Sequence, residues 1–208
     1  MKKTSKKWTL ALAVVTLVAM IAAGQNPPTQ PKPDPAMEKL KYFLGDWKEK
    51  GTMKPDPKSP GDKFTGTYHN VMMHGGFFLE MHETGDVVGP GQGKFTSVAF
   101  IGYNAGEKVY THDEFDSNGQ HFTARGTLEG DTWTWTSDVK MGGQTMKGRF
   151  TQKITSPTSY DYKYEASIDG GEYTTFLEGK ATKVGAAANA KPAGGKPSAS
   201  KGGKAQKK

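Results

Sequence analysis

Apolar and polar residues alternate along most of the chain between residues 46 and 182, in short segments separated by Gly, Asn and Asp. An alternation of period two places successive side chains on opposite faces, which is typical of a β-strand with one buried face. No stretch with helical spacing interrupts these segments. The ten predicted strands cover residues 46–54, 62–73, 76–85, 94–103, 108–116, 120–128, 131–140, 144–154, 158–168 and 172–182.

The connections between these segments are short and rich in residues that tolerate a positive φ. Asn104-Ala105-Gly106, Ser117-Asn118-Gly119 and Asp169-Gly170-Gly171 are three examples. Because short connections make neighbouring strands antiparallel, the chain favours a meander over a Greek key. The pattern therefore predicts an all-β fold, an antiparallel up-and-down meander of about ten strands closed into a barrel.

A short helix is expected just before the first strand. Leu40, Phe43 and Leu44 recur at helical spacing, and Gly45 follows as a C-terminal stop. We expect this helix, over residues 37–44, to plug one end of the barrel.

Several strands indicate which residues point into the barrel. In 158–168 the apolar and aromatic residues share one face and Asp161, Lys163 and Glu165 share the other. Strands 76–85 and 108–116 leave both faces open, because each face carries aromatic as well as polar residues. The predicted inward-facing residues that would line a ligand site are Trp133, Trp135, Met146, Phe150, Tyr160, Tyr162 and Tyr164.

The two ends of the chain differ in composition from the predicted barrel. Residues 1–24 combine a lysine-rich start, an apolar run over residues 8–23 and a small-residue site at Ala22-Ala23-Gly24, which predicts a cleaved signal peptide and a periplasmic or secreted protein. An uncleaved N-terminal anchor is the alternative. Residues 25–36 read as a disordered linker, residues 37–183 as one barrel domain, and residues 184–208 as a disordered tail rich in Lys, Ala and Gly.

The net charge of the chain comes from its two ends and differs from the net charge of the predicted barrel. The formal charge of +7 includes four lysines of the leader and six of the tail, so 18 Lys and Arg remain between them against 21 Asp and Glu. The barrel is therefore mildly acidic, and we expect no nucleic-acid partner. The tail is expected to make weak contact with anionic envelope surfaces.

The sequence carries little that is typical of a catalytic or cofactor site. The chain has no cysteine and no Gly-x-Ser-x-Gly elbow, and no histidine follows His121 to serve as a late-strand haem ligand. His69, His74 and His121 lie near strand ends or turns and are expected at the surface. We expect no cofactor, no resident metal and no catalytic residue. A weak alternative is a metal or acid–base cluster formed by Glu80, His82, His112 and Glu114, whose i, i+2 spacing places each pair on one face of its strand.

A family resemblance rests on short motifs in a fixed order: Leu40-x-x-x-Leu44-Gly45-x-Trp47, Gly75-Gly76-Phe77-Phe78-Leu79, Ile101-Gly102-Tyr103-Asn104 and Asp116-x-x-Gly119. Over about residues 37–183 the chain resembles the bacterial family called domain of unknown function 1579. The resemblance implies a calycin-like barrel, related in architecture to lipocalins and fatty-acid-binding proteins, with no established activity. The Gly45-x-Trp47 pair also resembles the lipocalin signature, which implies that Trp47 packs across the barrel floor beneath the helix.

These observations leave three functional hypotheses. In the first, the exported barrel binds a small apolar or aromatic ligand in its lumen. In the second, the same residues fill the lumen and any function lies on the surface or in the tail. In the third, the Glu/His cluster makes the protein a metal-assisted or acid–base hydrolase. The direction in which the four side chains of the cluster point tests the third hypothesis, because side chains that point to solvent could not form a site in the lumen.

Overall fold

The computed structural model describes residues 30–54, 58–88, 93–141 and 143–185. The predicted signal peptide, residues 25–29 of the linker and all of the tail beyond residue 185 lie outside these ranges, as does the Gly-rich loop at residues 89–92. The barrel belongs to a compact unit that begins at Asp34. Within the described ranges no helix has the length and hydropathy needed to span a bilayer.

The described residues form ten antiparallel strands, and each overlaps the segment predicted for it. Differences are confined to one or two residues at most strand ends and to three at the end of β3. The strands are β1 (Gly45–Met53), β2 (Asp62–Met73), β3 (Phe78–Val88), β4 (Gly93–Asn104), β5 (Val109–Asp116), β6 (His121–Glu129), β7 (Thr132–Met141), β8 (Gln144–Ser156), β9 (Ser159–Ile168) and β10 (Thr174–Lys183).

Each strand pairs with its neighbours in sequence, and the last strand pairs with the first. The β1–β10 ladder runs from Trp47 paired with Lys183 to Met53 paired with Leu177. This ladder closes the sheet into an up-and-down barrel. The predicted closed meander is confirmed.

The predicted plug is present as a 3₁₀ helix over Pro35–Phe43, hereafter the plug helix. Asp34 caps it by accepting a hydrogen bond from the Ala36 amide at 2.8 Å, and Pro35 occupies the first turn, where a missing N–H costs nothing. The helix thus begins two residues earlier than predicted, inside the expected linker. Its inward face buries Met37, Leu40 and Phe43.

Trp47 fixes this helix to the barrel floor. Its indole Nε1 donates to the Phe43 carbonyl at 2.8 Å, and the Asn70 amide donates to the same oxygen at 2.8 Å. These two bonds satisfy a C-terminal carbonyl that the helix itself leaves free. Trp47 is 1% exposed, so the floor position implied by the family resemblance is confirmed.

The pairing register shows which face of β3 and of β5 points into the barrel, which the sequence left undecided. In β3, Leu79 is fully buried and pairs with buried Ile101, so the odd-numbered residues face inward. In β5, buried Tyr110 pairs with Tyr103, so the even-numbered residues face inward. The aromatic residues on the other face of each strand, Phe78 and Phe115, are 42% and 46% exposed.

Candidate functional site

The seven aromatic and methionine residues predicted to face inward all lie on the inner wall. Their partners in the ladders are themselves inward-facing: Trp135 pairs with Phe150, and Phe150 pairs with Tyr164. Trp133, Trp135, Tyr160 and Tyr162 are buried, whereas Met146, Phe150 and Tyr164 are half-buried. Their role in ligand binding remains a prediction.

The half of the lumen next to the plug helix is filled by aromatic rings. Trp47 lies 5.2 Å from Tyr160 between ring centroids, and Phe43 lies 5.6 Å from Trp133 and 5.5 Å from Tyr160. Centroid separations of this size, mostly at steep interplanar angles, are the preferred geometry of packed aromatic pairs. This end of the barrel is therefore core.

Farther from the plug helix, the lumen contains polar side chains and accessible surface. Tyr68, Glu83, Ser97 and Phe150 point inward but are only half-buried. An inward-facing side chain keeps accessible surface only where the opposite wall does not touch it. We call this part of the lumen the chamber; its inward-facing walls include Glu49, Tyr68, Glu83, Ser97, His112, Glu114, Trp135, Phe150 and Tyr162.

Glu49 is the most deeply buried acid of the chamber, at 5% exposure. The Tyr162 hydroxyl donates a short hydrogen bond to its Oε2. Its Oε1 is buried, and no backbone, amide or hydroxyl group donates to it. Burial, the Glu49 carboxylate and the hydrogen bond to it raise the pKa of Tyr162 far above its ordinary value, so this hydroxyl is a donor at any physiological pH.

Glu83 lies beside Glu49. Burial raises its pKa to about 9, and the charges of Glu49 and Glu114 and a hydrogen bond with Glu49 act in the same direction. The Ser97 hydroxyl opposes this shift by donating to Glu83 Oε2 at 3.3 Å. At neutral pH Glu83 therefore keeps its proton, and the two neighbouring carboxyls carry one negative charge between them.

His112 and Glu114 extend the polar group along β5. The His112 Nε2 lies 3.8 Å from Glu114 Oε2, and the two side chains are 21% and 27% exposed. Burial lowers the pKa of His112 despite the nearby charges of Glu114 and Asp113. The imidazole is consequently neutral at pH 7.

The four-residue cluster considered as a metal or acid–base site is divided between the two faces of the sheet. Glu80 and His82 lie on the outer face of β3 and bond each other at 2.7 Å, whereas His112 and Glu114 face inward from β5. The cause is the strand register, because Leu79 faces inward and the even-numbered residues of β3, including Glu80 and His82, therefore face outward. The cluster is therefore not assembled, and the described residues contain no group of three potential metal ligands.

Glu49 and Glu83 were not anticipated as site residues. Glu49 stands between Lys48 and Lys50, a run that reads as a solvated surface, and Glu83 lies on a strand whose facing was undecided. One signal was present for Glu49. It is two residues from Trp47, so a Trp47 buried in the barrel places Glu49 on the same inner face.

Inward-facing glycines allow aromatic rings to lie flat against the chamber wall. A Cβ added at Gly126 would lie 2.5 Å from the Trp135 ring, and one at Gly179 would lie 2.6 Å from the Tyr162 hydroxyl. A Cβ does not approach non-bonded atoms this closely, so the rings occupy the space that side chains would take. The rings thus cover the wall while staying clear of the barrel axis.

The barrel wall has a gap beside His112. Pairing between β6 and β7 stops at Arg125 with Thr136, although β6 starts at His121 and β7 continues to Met141. A cavity of about 440 Å³ lies here, lined by inward-facing His112, Ala124 and Ser137 as well as by residues of the outer face. We call this unpaired stretch the seam.

Comparison with known proteins identifies the family. The chain belongs to the family described as protein of unknown function DUF1579, whose profile matches residues 32–183. This confirms the resemblance seen in the sequence motifs. No curated protein matches the chain.

The chain is also similar to solved structures. A crystal structure of Rv2717c from M. tuberculosis superposes with a TM-score of 0.52 at 12% identity and covers 73% of this chain and 99% of its own. EF1p2_mFAP2b bound to DFHBI matches with a TM-score of 0.39 at 12% identity, covering 71% and 98% of the two chains. A de novo designed fluorescence-activating β-barrel matches with a TM-score of 0.39 at 15% identity, covering 69% and 94%.

Proposed function

We propose that this member of the DUF1579 family binds a small ligand with an aromatic or apolar body in the chamber. The observation that carries the proposal is the partial exposure of side chains that face the barrel interior, Tyr68, Glu83 and Phe150 among them. Had side chains filled the whole lumen, these residues would be as buried as Trp133 and Tyr160. The remaining space is bounded by protein on its sides and by the aromatic floor below.

The composition of the chamber supports this proposal. Small-molecule sites are mostly apolar and contain a few placed polar groups. Here Trp135, Phe150 and Tyr162 supply the apolar surface, and the Phe150 and Tyr162 ring centroids lie 5.6 Å apart. The polar groups are held in place, since Gln152 accepts from Trp135 Nε1 at 3.0 Å and Glu49 accepts from Tyr162. A site whose side chains are held in place before binding loses less entropy when the ligand arrives.

The experiment uses Prodan, an uncharged naphthalene dye whose emission reports the polarity around it. We expect saturable one-site binding with a blue-shifted emission. In the variant Ala124→Trp an indole fills the chamber from the inner face of β6, and the affinity should fall at least about tenfold, a loss of about 1.4 kcal/mol. The matched control is Thr127→Trp, which adds the same ring to the exposed outer face of the same strand.

The control should bind Prodan as the unaltered protein does. Equal affinities in all three proteins would place the dye outside the chamber and contradict the proposal. Failure of the unaltered protein to bind Prodan saturably would favour a filled barrel. Circular dichroism of both variants shows whether the barrel is retained.

The proposal includes export, which rests on the layout of residues 1–24 alone. The mature chain is expected to begin close to Gln25. Intact mass of the protein recovered from the envelope or medium of its own host tests this, and a retained Met1 in that material would contradict cleavage.

A further inference from the structure

The charge of the chamber is one-sided. Glu49, Glu83 and Glu114 face it from β1, β3 and β5. Among the described strands the only Lys or Arg at an inward register position is Lys183. Its ammonium lies at the plug end, 5.4 Å from the centroid of the Trp47 ring and 3.4 Å from the Tyr42 carbonyl. Asp116, the last inward position of β5, is engaged in the following turn, where its Oδ1 accepts from the Asn118 and Gln120 amides. The chamber therefore contains the three glutamate carboxyls and no permanent cation.

One of these carboxyls has an acceptor without a permanent donor. Glu49 is 5% exposed, and Tyr162 donates to its Oε2, but no backbone, amide or hydroxyl group donates to Oε1. The proton that Glu83 retains is therefore the donor that Glu49 has besides Tyr162, and it is lost when Glu83 ionises. Because an acceptor buried without a donor costs free energy, and more for a charged group, the site is suited to a ligand that brings its own donor.

The surrounding groups do not supply a positive charge. His112 is neutral at pH 7 because burial lowers its pKa. The proton retained by Glu83 is the nearest compensation for the charge of Glu49. The titratable groups that interact with Glu83 are Glu49 on β1, Tyr68 on β2, Glu114 on β5, and Tyr160 and Tyr162 on β9.

We propose that the ligand of the chamber carries a positively charged nitrogen next to its aromatic or apolar body, and that Glu49 and Glu83 bind this nitrogen. The inference rests on the proposed function and names its ligand class. A protonated amine would donate to Glu49 Oε1, and the neighbouring rings of Tyr68 and Tyr162 would add cation–π attraction. A carboxylate ligand such as a fatty acid would instead face Glu49 and Glu114 and be repelled.

Proton balance provides a second signature. When the ammonium takes the position between the two carboxyls, the Glu83 proton passes to solvent and a second carboxylate forms. Binding of an amine near neutral pH therefore releases a proton, and its affinity rises with pH as long as the amine itself stays protonated. An uncharged ligand of the same shape leaves the Glu83 proton in place.

The experiment compares three probes with one ring system: 1-naphthylmethylamine, 1-naphthalenemethanol and 1-naphthoate. Isothermal titration calorimetry at pH 7 in two buffers of different ionisation enthalpy gives both affinity and proton release. We expect the amine to bind at least about tenfold more tightly than the alcohol, and the alcohol more tightly than the carboxylate. Proton release should accompany the amine alone.

The variant Glu49→Gln tests whether the carboxylate is responsible. It keeps the shape and an acceptor while removing the charge, and the ratio of amine to alcohol affinity should fall toward one. The matched control Glu178→Gln removes one acid from the exposed outer face of β10 and should leave the ratio unchanged.

The outcomes separate this inference from the proposed function. Equal binding of amine, alcohol and carboxylate, or a preference that survives Glu49→Gln, would overturn the ligand class while leaving chamber binding intact. Loss of binding for all three probes together with Prodan would overturn the proposed function itself.

Discussion

Trp47 joins the plug helix to the barrel, and its removal should be costly. The side chain is 1% exposed, contacts Tyr42 and Tyr160, and donates to the Phe43 carbonyl. Trp47→Ala should lower the free energy of unfolding by about 3–5 kcal/mol, measured by urea denaturation. Trp47→Phe retains a ring and loses the hydrogen bond, so its loss should be smaller. A change below about 1 kcal/mol for Trp47→Ala would contradict the floor position.

Glu83 should make stability depend on pH in a particular direction. Because burial raises its pKa to about 9, the folded chain keeps a proton that the unfolded chain has already lost. The free energy of unfolding should therefore fall as pH rises from about 5 to about 9, and Glu83→Gln should remove this part of the dependence.

Urea denaturation at several pH values measures the effect of Glu83. The matched control is Glu178→Gln, on the exposed outer face of β10, which should keep the slope of the unaltered protein. If Glu83→Gln and Glu178→Gln gave the same slope, the chamber would not desolvate Glu83.

At the level of elements, the sequence predicts where strands lie better than which way they face. Strand positions follow from alternation and from turns such as Ser117-Asn118-Gly119, which are local properties. The facing of β9 is also local, because three tyrosines alternate with Asp161, Lys163 and Glu165. In β3 and β5 both faces carry aromatic and polar residues, so the sequence of the strand does not show which face points inward. The inward face is determined by the pairing with β4, which is a long-range property.

The polar part of the chamber could not be predicted for the same reason. Glu83 and Glu114 become neighbours through the registers of three strands, and no spacing along the chain encodes that approach. A buried acid is also the exception for its residue type, so the ordinary expectation for an acid between two lysines is exposure. The proposed ligand site is therefore built from residues that depart from the pattern.

Gly126 on β6 tests whether rings lie against inward glycines. A Cβ at this position would lie 2.5 Å from Trp135, so Gly126→Ala should lower the free energy of unfolding by about 1–3 kcal/mol through overpacking. Gly93→Ala on β4 is the control, because a Cβ there meets nothing within 4 Å. Thermal denaturation measures the stability of both variants, and near-ultraviolet circular dichroism reports the environment of Trp135. Equal stability of both variants would contradict the packing.

In the molecule as a whole, the residues that stabilise the fold and the residues proposed to bind a ligand lie at different levels along the barrel axis. The plug helix and the rings of Trp47, Trp133 and Tyr160 pack the floor, whereas the buried charge of Glu49 lies farther in, where it costs stability. A closed barrel tolerates this arrangement because its ladders and its floor supply the stability that the chamber lacks. Ligand access then requires a route through a wall that is otherwise hydrogen-bonded.

The seam is the stretch of wall that lacks this ladder, so we expect ligands to enter there. Continuing the register of Arg125 with Thr136 places Thr123 opposite Asp138. The chain has no cysteine, so Thr123→Cys with Asp138→Cys, bridged by dibromobimane, closes the seam selectively.

Closing the seam should slow Prodan association at least about tenfold in stopped-flow measurements, while the equilibrium affinity changes little, because a blocked route alters the rates of entry and exit together. The control pair, Thr127→Cys with Thr134→Cys, bridges the same two strands where they are already paired. An association rate that is unaffected by the bridge at the seam would mean that the ligand reaches the chamber by another route.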